Sequence, residues 1–258
     1  MAGRTVIAVP YHLDEHLPGL EFVLPPDQVI TADLAPAGGI WDRLAPLQSA
    51  VAGAVSAAAA DGSCPVVVSG DCFTALGVVA GIQAAGAAAG QASGIVWFDA
   101  HGDVQTPETT ASGYVAGMPL RLLTGYRPEL IAGRLGLRPV PEEHIVLAGA
   151  RDLDPPEASY LAGSAIRQCD VAGLTAADLP GVPLYVHVDF DVLDPGEVPG
   201  VRFPTPGGPT AGELAGALAT LLATGRVAAI TLACTWYPGS AAAARLSPLI
   251  EQALAGPM

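Results

Sequence analysis

The sequence predicts an α/β fold: a mostly parallel sheet with helices on both faces. Three observations lead there. Short runs rich in Val and Ile alternate with longer Ala- and Leu-rich stretches along all 258 residues, as in βα units whose strands are buried on both sides. Gly, Pro and Asp punctuate the runs, as at Asp61-Gly62, where a helix ends. Two of the runs close in alternating acids, and in such sheets sites form at the carboxyl ends of strands. At this length the chain fits one domain, residues 1–258, large enough for an extensive core.

The elements follow in order. Residues 4–10 read as the first strand. Residues 11–39, rich in Pro, acids and turn formers, read as loop with a short strand near Val29. Ile40–Ala60 has helical composition, and Cys64–Ser69 is a Val-rich strand. A small-residue helix is expected over 73–89 and a strand over 94–99. Residues 102–117, full of Thr, Ser and Gly, form a loop too long to be a mere connection. Further strands are expected over 144–148, within 161–170, at Leu184–Asp189 and over 227–232, and helices over 210–224 and 241–255.

Composition excludes several functions. Hydrophobic residues make up 51% but aromatics only 5%, so Ala and Val carry most of the packing. A net charge of −14, with a pI near 4.5, argues against nucleic acid and anionic membranes as partners. Residues 1–10 lack the apolar core and cleavage site of a secretory leader. The Ala-rich stretches 50–60 and 84–89 are too weakly hydrophobic to span a bilayer. Cys64, Cys72, Cys169 and Cys234 show no disulfide framework and fit reduced thiols in a cytoplasm.

The chemistry lies in two stretches. Gly94–Asp103 is an apolar strand running into Asp99, His101 and Asp103. Residues spaced by two on an extended segment share a side, and two carboxylates with an imidazole suit Mn, Zn or Fe(II). About ninety residues on, a second strand ends in Asp189 and Asp191. Four carboxylates at one place repel one another unless cations neutralise them. Two divalent ions cancel the four charges, and a pair about 3.5–4 Å apart is the usual architecture for attack by a bridging hydroxide. His187 is read as pointing away from Asp189 and packing in the core. His12, His16 and His144 are placed at solvated loops, with His12 or His16 in reach of the site's mouth. Asp71 fits either a ligand-orienting acid or a helix cap, and Tyr114 and Trp236 are placed at the pocket or in ordinary packing.

Five motifs in order, Ser69-Gly-Asp-Cys-Phe73, Trp97-Phe-Asp-Ala-His-Gly-Asp103, Gly149-Ala-Arg-Asp-Leu-Asp154, Asp189-Phe-Asp-Val-Leu-Asp-Pro195 and Pro206-Gly-Gly-Pro-Thr-Ala-Gly-Glu213, resemble those of the arginase (ureohydrolase) family. The resemblance implies a three-layer αβα fold with a mostly parallel central sheet, two Mn²⁺ per chain and hydrolysis of a guanidino group. It implies that Asp99 and Asp189 bridge both ions, that Asp103 completes one shell, and that His101 and Asp191 complete the other. Asp103 is expected to take a proton and pass it to the departing amine, and the family, often trimeric or hexameric, is compatible with a homo-oligomer.

The departures narrow the substrate. Cys72 stands where the family has its first ligand histidine, Ala116 where most arginases carry a proton-shuttling histidine, and Thr235 where the family's Glu holds the guanidinium. The resemblance implies that the α-amino-acid end is kept: Gln105, Thr110 and Ser112 stand at the family's places for the substrate carboxylate, and Asp154, with Asp152 and Glu157 close by, at its place for the α-amine. Arginine is a cation at any physiological pH, and burying it without a carboxylate is costly. An N-hydroxyguanidine is less basic and suits a neutral Thr235. The combination resembles the Nω-hydroxy-L-arginine amidinohydrolases of the family, known from D-cycloserine biosynthesis, which release hydroxyurea and L-ornithine. Two rival readings stand: another ureohydrolase (arginase, agmatinase or guanidino-acid hydrolase), and a metal-poor, non-catalytic homologue acting as a binding protein.

Overall fold

The structure, a computed structural model, describes residues 3–34, 38–86 and 93–255. Ten strands are described: β1 (Arg4–Val9), β2 (Tyr11–His12), β3 (Glu15–His16), β4 (Gln28–Val29), β5 (Cys64–Ser69), β6 (Gly94–Phe98), β7 (Ile145–Ala148), β8 (Arg167–Cys169), β9 (Leu184–Asp189) and β10 (Val227–Ala233). The helices are α1 (Ile40–Ala60), α2 (Ala75–Ala85), α3 (Pro119–Leu123), α4 (Pro155–Gly163), α5 (Ala211–Leu222) and α6 (Ala242–Ala253).

Eight strands form one sheet in the order β4-β1-β5-β10-β9-β6-β7-β8. Each pairing along it is parallel. β2 and β3 make a separate antiparallel hairpin. Parallel strands need crossovers, and the helices that supply them cover both faces, giving the expected three-layer αβα architecture. Alternation along each strand divides the core. Val66, Val68, Val96, Phe98, Val186 and Val188 pack with α5 and α6. Val67, Ile95, Trp97 and Tyr185 pack with α1, α2 and α3. Small residues let the layers close up: a Cβ on Gly77 of α2 would lie 2.7 Å from the Gln48 carbonyl of α1.

Most of the sequence-based elements appear within a residue or two. The helix expected over 73–89 is a 3₁₀ turn, Cys72–Thr74, followed by α2; positions 87–89 lie outside the described residues. The β2–β3 hairpin, α3 and α4 were not anticipated. α4 is announced by Asp154-Pro-Pro-Glu157: Pro at the first helical position is pre-set for a helix, and Glu157 Oε2 accepts from the Asp154 N–H at 3.2 Å, half of a capping box. Among the described residues, no helix is long and apolar enough to cross a membrane.

Candidate metal centre

The four central strands β5, β10, β9 and β6 end side by side, and each delivers a side chain to one pocket: Cys72, Thr235, Asp189 and Asp99. His101, Asp103 and Asp191 follow in the loops. The local device is the same on β6 and β9. Asp99 Oδ1 accepts the His101 N–H at 2.7 Å, and Asp189 Oδ1 accepts the Asp191 N–H at 2.9 Å. Each carboxylate caps its own strand by bonding the backbone two residues on. Convergence therefore comes from tight turns after the strands, a bend at Ala100 and a 3₁₀ turn at Phe190–Val192, not from the extended backbone that the spacing suggested. Asp103 completes it with a φ of 53°, a left-handed conformation that Asp tolerates better than most residues.

Two donor sets emerge. Ligand atoms of Asp99, His101 and Asp191 lie within 4.8 Å of one another, as do those of Cys72, Asp99 and His187. His101 Nδ1 sits 3.2 Å from Asp99 Oδ1 and 3.1 Å from Asp191 Oδ2. The Cys72 thiol donates to Asp189 Oδ2 at 2.8 Å. In both contacts a proton stands between groups that repel without it, where a cation does the same work.

The electrostatics agree. Burial, then the charge of neighbouring acids, pushes Asp103, Asp189 and Asp191 up, Asp191 to about 6. Burial opposes charge on His101, but hydrogen bonds to Asp191 and Asp99 outweigh it and push the imidazole up to about 12. Burial and Asp189 hold the Cys72 thiol far above its ordinary range. Asp103 Oδ2 is buried with no partner. A buried, unpartnered carboxylate oxygen is costly, and hard divalent cations suit the oxygen-rich part of this set.

His187 corrects the sequence reading. It alternates with Tyr185 and Asp189, so it faces the same side as Asp189. The ring is fully buried, stacks on Trp97 with centroids 3.7 Å apart, and bonds the Tyr185 hydroxyl at 3.1 Å. Trp97 Nε1 in turn donates to Asp99 Oδ2 at 3.1 Å. The i, i+2 spacing already carried this information. Asp71 proves to be a cap: it accepts the Thr74 N–H at 3.2 Å and the Leu13 N–H, fixing the turn that carries Cys72.

Arg151, inside the Gly149–Asp154 motif, is a residue beside the site whose part sequence reasoning missed. Its guanidinium donates to the carbonyls of Gly149 and Val192 at 3.0 Å and of Thr205 at 2.7 Å. It thereby ties the loop carrying Asp191 to the Thr205–Pro206 segment, as a planar five-donor group can and an ammonium cannot.

The residues expected at the substrate line the same pocket: Gln105, Thr110, Ser112, Asp154, Glu157 and Thr235. Gln105 Nε2 donates to Asp154 Oδ2 at 2.9 Å, and Thr109 donates to Gln105 Oε1 at 2.7 Å. Glu157 accepts the Val104 N–H at 3.3 Å. Asp152 stands outside the lining, its carboxylate 4.0 Å from His101 Nε2. The Thr235 hydroxyl donates to Asp189 Oδ1. Tyr114, Phe203 and Ala116 close the wall. His12 does reach the mouth, bonded to Tyr114, whereas His16 is exposed. Cys64 and Cys234 are buried free thiols and Cys169 is half-buried.

A three-layer αβα fold with an acid-rich pocket at the carboxyl edge of its parallel sheet is the class of fold and site that this chain defines. The arginase family profile matches residues 13–234, and the chain belongs to that family. It is 33% identical over 174 residues to the arginase of Bacillus caldovelox, covering 62% of this chain and 57% of that one. It is 35% identical over 159 residues to the arginase of Bacillus subtilis (strain 168), covering 56% and 52%. The chain thus spans little more than half the length of these curated relatives. The solved native arginase of Bacillus caldovelox superposes with a TM-score of 0.83 over all of both chains at 24% identity.

Proposed function

We propose that the protein is a dimanganese amidinohydrolase cleaving Nω-hydroxy-L-arginine to hydroxyurea and L-ornithine, the reaction type of the D-cycloserine amidinohydrolase. The observation that carries this reading is Thr235. It occupies the place of the family's guanidinium-binding Glu, and its hydroxyl is committed to Asp189. A buried guanidinium at that wall has no carboxylate partner and costs several kcal/mol; a neutral hydroxyguanidine does not.

Asp99, Asp103, Asp189, Asp191, His101 and Cys72 are the residues that would hold the ions. Bound divalent cations supply a nucleophilic water at neutral pH and polarise the substrate. The chain's own residues do the rest. Gln105, Thr110 and Ser112 offer amide and hydroxyl groups to the α-carboxylate, and Asp154 offers a carboxylate to the α-amine. Asp103, whose Oδ2 is buried without a hydrogen-bond partner, accepts a proton from the attacking water and passes it to the departing amine.

The test is ornithine release from L-arginine and from Nω-hydroxy-L-arginine, with Mn²⁺ present. The expected result is a clear preference, about tenfold or more in kcat/KM, for the hydroxylated substrate. Equal or faster turnover of plain arginine would contradict it.

A further inference from the structure

A proton balance for the neutral substrate leaves one proton to be found. Cleavage of the C–N bond gives the departing nitrogen its first proton from the attacking water by way of Asp103. The amine of ornithine then leaves as an ammonium, since amines of this kind titrate near about 10. A neutral hydroxyguanidine does not bring that second proton, so it comes from solvent.

A hydrogen-bonded pair of side chains leads outward from the pocket wall on the side of the β2 hairpin. Tyr114 lines the pocket with Asp103 and Thr235. Its hydroxyl lies 3.1 Å from His12 Nε2, and His12 Nδ1 lies 3.0 Å from the Gly70 carbonyl. A carbonyl only accepts, so Nδ1 carries the hydrogen of that bond, and Nε2 is the ring atom that faces the phenol oxygen. The two rings stack at 5.8 Å, and Phe203 braces Tyr114 at 5.5 Å. Gly70 fixes the far end: a Cβ there would lie 2.3 Å from the Tyr11 carbonyl, so only glycine lets the β2 hairpin seat His12 on this loop. His12 is half-buried and exchanges with water. Of the other imidazoles near the pocket, His101 lies between two carboxylates, and His187 is fully buried beneath Trp97, out of contact with solvent. Burial holds Tyr114 as a neutral phenol, a relay and not a store.

We infer that Tyr114 and His12 form the path by which a solvent proton reaches the departing amine. This rests on the hydroxyarginine reading. His12, protonated at Nε2, gives that proton to Tyr114 Oη as the phenol's own O–H bond breaks and its proton goes to the amine nitrogen. Tyr114 is unchanged, His12 returns neutral, and solvent reprotonates it. Ala116, a buried methyl on the same wall, supplies no alternative.

The experiment compares Tyr114→Phe, His12→Ala and the double variant with the wild type on Nω-hydroxy-L-arginine in the Mn²⁺-loaded enzyme, with L-ornithine binding measured by calorimetry. Each single variant is expected to lose about 10²-fold in kcat, with KM and ornithine affinity within about threefold of wild type. The double variant is expected to be no slower than either single one, because the two act as a unit. Added imidazole is expected to restore His12→Ala and leave Tyr114→Phe unchanged. Wild-type kcat in either single variant, additive losses, or a His12→Ala defect that imidazole does not relieve overturns the relay alone. Absence of ornithine release by the wild type overturns the hydrolase reading and the relay with it.

Discussion

At Asp191 the folded chain holds a carboxyl pushed up to about 6 by burial and by the charge of Asp99 beside it. A group whose folded pKa exceeds its unfolded one stabilises fully below the unfolded value, here about 3.9, and loses that contribution as pH rises through the folded value. Asp189 and Asp103 act in the same direction. His101, pushed up to about 12, contributes fully below its unfolded value of about 6.5, and less as the pH climbs above it. Asp99 alone is lowered: burial opposes this, but hydrogen bonds from His101 win. Its contribution is present above its unfolded value of about 3.9 and fades only below that. Metal-stripped protein is therefore expected to lose thermal stability as pH rises from about 5 to about 8, and Mn²⁺ to reverse the trend, since ions replace the protons these groups hold. Thermal midpoints across that range, with and without Mn²⁺, check it; a stripped protein that grows more stable with pH contradicts it.

The strand-end turn is the element that makes the site, and Arg151 is what holds one of these turns in place. Its carbonyl fan joins the Asp191 turn to the Thr205–Pro206 segment. Arg151→Lys keeps the charge but cannot reach those carbonyls together. The expected cost is about 3 kcal/mol, or roughly 5–10 °C in Tm for a chain of this size, accompanied by weaker Mn²⁺ binding. Unchanged melting and metal affinity would show the fan to be dispensable. At this scale the sequence was legible wherever period and composition agreed: Ile40–Ala60, Cys64–Ser69 and Leu184–Asp189 appear with their expected bounds. It was less legible where local hydrogen bonding decides. α4 hides behind two prolines that read as loop but sit in its first turn. The facing of His187 was misread although the two-residue period fixed it. Arg151 gave no periodic sign, because its partners are backbone carbonyls far along the chain.

Across the whole molecule, the parallel sheet explains why ligands from β5, β6 and β9 share one edge. In a parallel sheet every strand ends at the same rim, and the acids pooled there are stable together only with counter-charge. The long Thr-, Ser- and Gly-rich loop expected to be functional does line the pocket, through Gln105, Thr110, Ser112 and Tyr114. The acid pattern alone led to the candidate metal centre, whereas the hydroxyls of Thr235 and Tyr114 acquired meaning only from their partners, Asp189 and His12. The most direct test of the two-cation centre is metal counting. Protein stripped with chelator, titrated with Mn²⁺ and freed of excess, is assayed for metal by elemental analysis, beside an Asp99→Asn/Asp189→Asn variant. Close to two ions per chain in the wild type and far fewer in the variant are expected; well under one ion per chain in the wild type would contradict the account.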